Sequence, residues 1–273
     1  MSLYDKIFKP SVIVLSNGKE IVEKKSRTPL VLLILLIFSI ISLNVTGFKL
    51  STIITRGHQF WDILIRMFPP NVKYTADIWT PLFDTIKMSF LGSIIGSVFA
   101  IPMAMVASSN LIKSKAVITV MRFLLSIVRT LPSLVTALIA TYIFGLGTTA
   151  GTTAIAIYTF SYIGKLLYEQ IETIDMGPIE AAEALGSSKI KTFISSVIPQ
   201  ILPGYLSNSL YCFEGNVRYA SILGYVGAGG LGLILNENIG WREYDKVGMT
   251  LIMLFFTVVI IEAVSHYLRK KLT

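Results

Sequence analysis

The sequence predicts an all-α polytopic membrane protein of six transmembrane helices, with both termini in the cytoplasm. Three observations predict it. Of 273 residues, 53% are hydrophobic and 15% charged, with a mean hydropathy of +0.68, whereas soluble domains carry about 25% charged residues. The apolar residues gather into blocks long enough to cross a bilayer, which takes roughly 20 helical residues. Basic residues divide unevenly among the polar gaps, as the positive-inside bias requires.

The blocks fall at about 29–46, 79–107, 117–145, 149–168, 193–224 and 246–267. Residues 1–28 are read as a cytoplasmic N-terminal segment, 29–78 as the first span with an outer loop, and 79–273 as a core of five transmembrane helices. No small-residue cleavage site follows the first block, so it reads as a retained anchor. In the loop, Phe60, Trp61, Leu64, Ile65 and Phe68 recur at helical spacing before Pro69-Pro70. They predict an interfacial helix with an aromatic face, or alternatively a docking surface for an external partner.

With both termini inside, the cytoplasmic segments hold fourteen of the 24 Lys and Arg residues and the outer segments six. The other four, Lys87, Arg122, Arg129 and Arg218, fall within or at the ends of spans. The net charge of +8 is therefore mostly topology. No basic face is interleaved with aromatics, so nucleic acid is not a predicted partner. One cysteine, Cys212, excludes an internal disulfide and suits no metal cluster.

Residues 170–192 carry too many charges to lie in hydrocarbon. Gly177-Pro178 breaks the chain, Ile179 to Leu185 favour helix, and Gly186 ends it. Ala181, Ala184 and Leu185 make a small apolar stripe, while Glu180 and Glu183 are neighbours at i,i+3. Small side chains permit close approach and carboxylates meet basic partners; an ordinary solvated loop helix is the alternative.

The spacing of Glu180-Ala181-Ala182, Gly186 and Pro199 resembles the EAA loop of ABC importer permeases. Here Ser196 and Ile198 stand where that family has Ile and Leu. The run Phe213-Glu214-Gly215-Asn216-Val217-Arg218, followed by Leu223-Gly224-Tyr225-Val226-Gly227-Ala228-Gly229-Gly230-Leu231-Gly232, is similar to the phosphonate-importer branch. Arg129-Thr130-Leu131-Pro132 and Gly145-Leu146-Gly147 match the third span of that family as well. Methionine-importer permeases share parts of the glycine run.

The resemblance implies a type I permease of the bacterial plasma membrane that moves a phosphorus oxyanion by alternating access. Glu180, Ala181, Ala182, Glu183, Leu185 and Gly186 would then receive the ATPase. Implied partners are a second copy of the chain, two ATP-binding subunits and an extracytoplasmic substrate-binding protein, with ATP and Mg held by the ATPase. This chain has no G-x-x-x-x-G-K-[ST] loop, so it is expected to carry no cofactor and no catalysis of its own.

Several span residues carry two readings each. Glu214 and Arg218, at i,i+4 around Asn216, suit an internal ion pair, or contact with an anionic substrate through the guanidinium fork. Arg129 is a pathway residue or a cap for carbonyls freed by Pro132. Arg122, on the same face, is expected to snorkel. Gly227, Gly229 and Gly230 satisfy G-x-G-x-x-G with Gly232, yet they end a span rather than open a βαβ unit, so they read as irregular backbone at the outer end of a pathway. Pro199 and Pro203 read as a hinge in the fifth span. Glu262 and His266 share a face and are expected to make a polar contact.

Two other function classes fit less well. An intramembrane enzyme would need a motif such as H-E-x-x-H, and the two histidines, His58 and His266, are far apart. An ion-coupled secondary transporter would want inverted repeats with broken helices in both halves, and no matching pair is evident.

Overall fold

The computed structural model describes residues 11–14, 18–23 and 28–272. The chain divides into two compact units, one ending at Asp62 and one beginning at Ile63.

The first unit holds a feature beyond the all-α expectation. An antiparallel ribbon pairs β1 (Ser11–Val14) with β2 (Glu20–Glu23), Ser11 opposite Glu23 and Val14 opposite Glu20. Both strands centre on β-branched pairs, Val12-Ile13 and Ile21-Val22, which suit extended backbone. Helix α1 (Thr28–Val45) follows, apolar around its whole circumference and exposed throughout. Helix α2 (Leu50–Arg66) is the amphipathic helix expected in the first loop, with Phe60 and Trp61 exposed edge to face.

The second unit is built on α3 (Thr75–Ala107), α4 (Lys115–Thr130), α5 (Ser133–Phe144), α6 (Thr148–Glu172), α7 (Gly177–Ala184), α8 (Lys189–Thr192), α9 (Ile198–Leu223), α10 (Leu231–Gly240) and α11 (Tyr244–Leu272). Helix α6 is central, packing on α3, α4, α5 and α9. At Gly92 and Gly96, α3 offers no side chain to the α3–α6 seam, and the main chain of α6 with its Ile155 and Thr159 side chains fills the space. A Cβ on Gly92 would lie 2.8 Å from the Thr152 carbonyl oxygen, and one on Gly96 would lie 2.8 Å from the Phe160 nitrogen. Small residues four apart let helices approach closely where hydrophobic forces cannot drive association.

Two expected spans are not single rods. The block at 117–145 breaks into α4 and α5, bent by 88°. Pro132 has no N–H and its ring disfavours helix at the residue before it, and Leu131 is accordingly extended at φ −71°, ψ 123°. The block at 193–224 begins earlier, with α8, passes through a π-helical turn at Phe193–Val197 and continues through both Pro199 and Pro203. Its sharp bend, 52°, comes after Val226 at the glycine run, away from the prolines.

Among the described residues, three helices are individually long and apolar enough to cross a membrane: α1, α3 together with the short turn before it, and α11. Counting each bent pair as one span gives up to five.

Candidate coupling helix and membrane pathway

Helix α7 is held by one face and bare on the other. Ile179 is buried in a cluster with Ala104, Leu167, Ile171, Phe193, Val197 and Ile201. Glu180, Ala181, Glu183 and Leu185 are exposed, Leu185 by 87%. The C-terminus closes as a Schellman turn. Gly186 is left-handed at φ +77°, its N–H donates to the Glu183 carbonyl at 2.9 Å, and the Ser187 N–H donates to the Ala182 carbonyl at 3.1 Å. This stop fixes where the Leu185 side chain emerges.

The loop is also tied to the start of the rod formed by α8 and α9. Ser196 Oγ donates to the Pro178 carbonyl at 3.2 Å, so the serine that departs from the family pattern bonds the short helix directly. Gln200 accepts from the Asp175 N–H at 3.0 Å and donates to the Asp175 carbonyl at 3.2 Å. Gln170 Nε2 donates to the Ile201 carbonyl at 3.0 Å. Helix α7 and the loop before it are thus bonded to residues 196–201, next to a π turn and Pro199.

Arg122 does not snorkel. Its Nε donates to the Ala107 carbonyl at 2.9 Å, its guanidinium pairs with Glu172, and it lies 4.6 Å from the Tyr168 ring centroid. Glu172, beyond the expected span 149–168, also accepts from the Ser109 N–H at 2.8 Å and from the Ser109 hydroxyl. Burial alone would push its carboxyl up, but the bonds from Ser109 and Arg122 outweigh that and hold it below the ordinary carboxylate value. These contacts lock the C-terminal ends of α3 and α6 to the middle of α4. Partners 50 residues apart leave no local spacing signal, and the sequence reading does not find them.

Near the middle of α3, a polar node joins three helices. Asn216, fully buried on α9, donates through Nδ2 to Ser93 at 2.8 Å on α3 and to Thr159 at 2.9 Å on α6. Glu214 is also buried and forms the expected ion pair, its Oε1 accepting from Arg218 at 2.6 Å. Its other oxygen lies 3.6 Å from Arg269 on α11, a partner no spacing rule foretells. Arg218 itself is half exposed. Arg129 is exposed at the end of α4, and among the described residues it has neither an ion partner nor a freed carbonyl to cap.

The glycine run is a packed joint. Gly147 N–H donates to the Gly227 carbonyl at 2.9 Å, and the Leu231 N–H donates to Thr85 Oγ1 at 2.7 Å. Gly230 adopts φ +69°, ψ −162°, a region open essentially to glycine alone. A Cβ there would stand 2.6 Å from Thr85 Oγ1. Buried irregular backbone of this kind is what a membrane interior tolerates. Glu262 and His266 are both exposed and make no contact with each other among the described residues, contrary to the sequence expectation.

These features define a helical permease, and comparison with known proteins agrees. The chain belongs to the family of binding-protein-dependent transport system inner membrane components, whose model matches residues 96–273. It is 36% identical over 211 residues to the phosphate-import permease protein PhnE of Mycolicibacterium smegmatis, covering 77% of this chain and 40% of that longer protein. It is 33% identical to the phosphite transport system permease protein PtxC of Stutzerimonas stutzeri, covering 74% of each. A putative phosphite transport system permease protein of Stutzerimonas stutzeri, HtxC, is 30% identical and covers 94% of this chain and 91% of its own length. Among solved structures, the permease fold of a methionine ABC transporter superposes with a TM-score of 0.66 at 21% identity, covering 74% of this chain and 99% of that one. The resemblance carried by the EAA loop and the glycine run therefore identifies the family correctly.

Proposed function

We propose that this chain is the membrane-spanning subunit of an ATP-driven importer for phosphonate or a related phosphorus oxyanion. The observation that carries this is α7: an acidic, small-residue helix anchored by Ile179, bare on its outer face and bonded through Ser196 to the fifth span. Within this family, such a helix suits a separate ATPase subunit docking from the cytoplasm. The names of the phosphate and phosphite permease relatives support the substrate class.

Six crossings follow if α1, α3, α4 with α5, α6, α9 with α10, and α11 each traverse the bilayer of a bacterial cell membrane, with both termini inside. Helix α6 falls short as a span by composition because its neighbours, rather than lipid, surround it. Six helices are few to enclose a conduit, so a symmetric pair of copies is the fitting assembly, with two ATPase subunits and an external binding protein. ATP and Mg would be bound by the ATPase. Arg129, Glu214, Asn216, Arg218 and the turn at Gly227, Gly229 and Gly230 would flank the pathway, and Pro199 and Pro203 would flex as α7 moves. The ATPase must bind one conformation better than the other, or it shifts nothing.

The test is reconstitution with the cognate ATPase and binding protein in liposomes. Methylphosphonate should accumulate only with ATP present. Glu180→Lys should leave insertion intact while cutting uptake more than roughly tenfold, since a like-charge meeting at an interface costs several kcal/mol. Accumulation without ATP, or full uptake by the Lys variant, refutes the reading.

A further inference from the structure

Two cavities on the face formed by α4, α5, α6 and α9 share Tyr158, Asn216 and Tyr219 as a common wall. The larger, about 470 Å³, is lined by Tyr158, Tyr162, Tyr211, Tyr219 and Arg218, among others. The smaller, about 280 Å³, has Arg129 at its rim and an apolar side of Ala154, Ile155, Leu131 and Leu223. Tyr158 stacks on Tyr162 with centroids 5.9 Å apart and tilts against Tyr219 at 6.3 Å. Among the described residues, the four tyrosine hydroxyls make no hydrogen bond, so their donors remain unspent.

The charges there do not balance. Glu214 is one carboxylate facing both Arg218 and Arg269, and Arg129 has no ion partner among the described residues. Of the two guanidinium groups that line the cavities, Arg218 shares the buried Glu214 carboxylate and Arg129 is left over, an excess positive charge that an anion would neutralise. The floor is fixed, because the Asn216 carboxamide nitrogen is committed to Ser93 and Thr159. Ser93 lies near the midpoint of α3, so the cavities sit midway along the longest helix of the second unit. Uncompensated charge within spans marks pathways.

We infer that this tyrosine-walled trench is a binding subsite for a small phosphonate, with Arg218 taking the oxyanion, Tyr158 and Tyr219 donating from the walls, and the Ile155–Leu223 side receiving the carbon substituent. The inference rests on the importer reading above and adds the site within it. Arg218 can turn to the ligand because Arg269 stays on Glu214, so the buried carboxylate is never left unpaired. Hydroxyl donors hold an anion more weakly than cations do, which suits a site that must also release its cargo.

The test uses the permease–ATPase complex in nanodiscs without the binding protein, and proton saturation transfer to the methyl group of methylphosphonate. Wild type should show transfer. Arg218→Gln should weaken binding about tenfold or more, as expected for losing a charge-assisted bond. Tyr158→Phe with Tyr219→Phe, which removes two hydroxyls and no bulk, should weaken it several-fold. The ATPase alone should show none.

The same complex with binding protein is assayed for methylphosphonate uptake. Uptake without transfer, or equal transfer in every variant, overturns the subsite and leaves the importer reading standing. Transfer that is lost in the variants, from a complex that takes up no methylphosphonate, keeps the subsite and overturns the importer reading. Failure of both overturns both.

Discussion

Ser196 Oγ donates to the Pro178 carbonyl at 3.2 Å, joining the first turn of α7 to the π turn between α8 and α9. π turns often mark functional sites, because one extra residue loosens the local ladder. A serine where the family pattern has isoleucine thus becomes a polar fastener.

Ser196→Ala should loosen this link by about 1 kcal/mol, the usual net worth of one hydrogen bond. The expected result is ATP hydrolysis near the wild-type rate with less substrate moved per ATP. Measuring uptake and phosphate release together checks it; an unchanged ratio would show that the link transmits nothing.

Glu172 gives its clamp on Ser109 and Arg122 a pH dependence. Its carboxyl titrates lower folded than unfolded, so the clamp contributes its full stability above the ordinary value of 4.5 and loses it as pH falls through the depressed one. Wild type should therefore lose more thermal stability between neutral pH and pH values below 4.5 than Glu172→Gln does. Melting curves of both proteins in detergent, compared across that range, decide the matter.

Gly230→Ala should be among the costliest single-methyl changes in the chain. The backbone conformation alone carries a cost of order 1–3 kcal/mol for a non-glycine residue. The new Cβ also meets Thr85 Oγ1, the acceptor for the Leu231 N–H. Gly240→Ala, with open space around it, is the matched control and should be nearly silent. A fluorescence thermal-stability assay on both variants would expose an error in either expectation.

Asn216→Leu removes both bonds of the α3–α6–α9 node. Interhelical hydrogen bonds in membranes average about 0.6 kcal/mol each, so a loss of about 1–2 kcal/mol is expected. Resistance to SDS unfolding is the direct measurement. Retained stability would mean that packing alone holds the three helices.

Local signals made much of this architecture legible. Block length and composition mark α1, α3 and α11 because lipid acts on each segment separately. Gly177-Pro178 and Gly186 bracket α7 because both punctuate backbone directly. The 88° break was written in Leu131-Pro132, yet averaged hydropathy over 117–145 carries no information about chain direction. Val12-Ile13 and Ile21-Val22 around Asn17-Gly18 carry a hairpin signal, hidden within a polar segment. Tyr158 and Tyr162 are four apart and Tyr211 and Tyr219 eight apart, spacings that put each pair on one helix face. That the two faces meet over Asn216 is tertiary, as are the pairings of Arg122 with Glu172 and Glu214 with Arg269.

At Gly92 and Gly96, α6 rests directly on the main chain of α3, so sliding α3 past α6 would drive atoms into one another. The two helices are packed as one strut, so a displacement of either would carry the other. Any gate would then have to lie at its flanks, where the Leu131–Pro132 corner and the Gly227–Gly230 turn already divide rods into separate pieces.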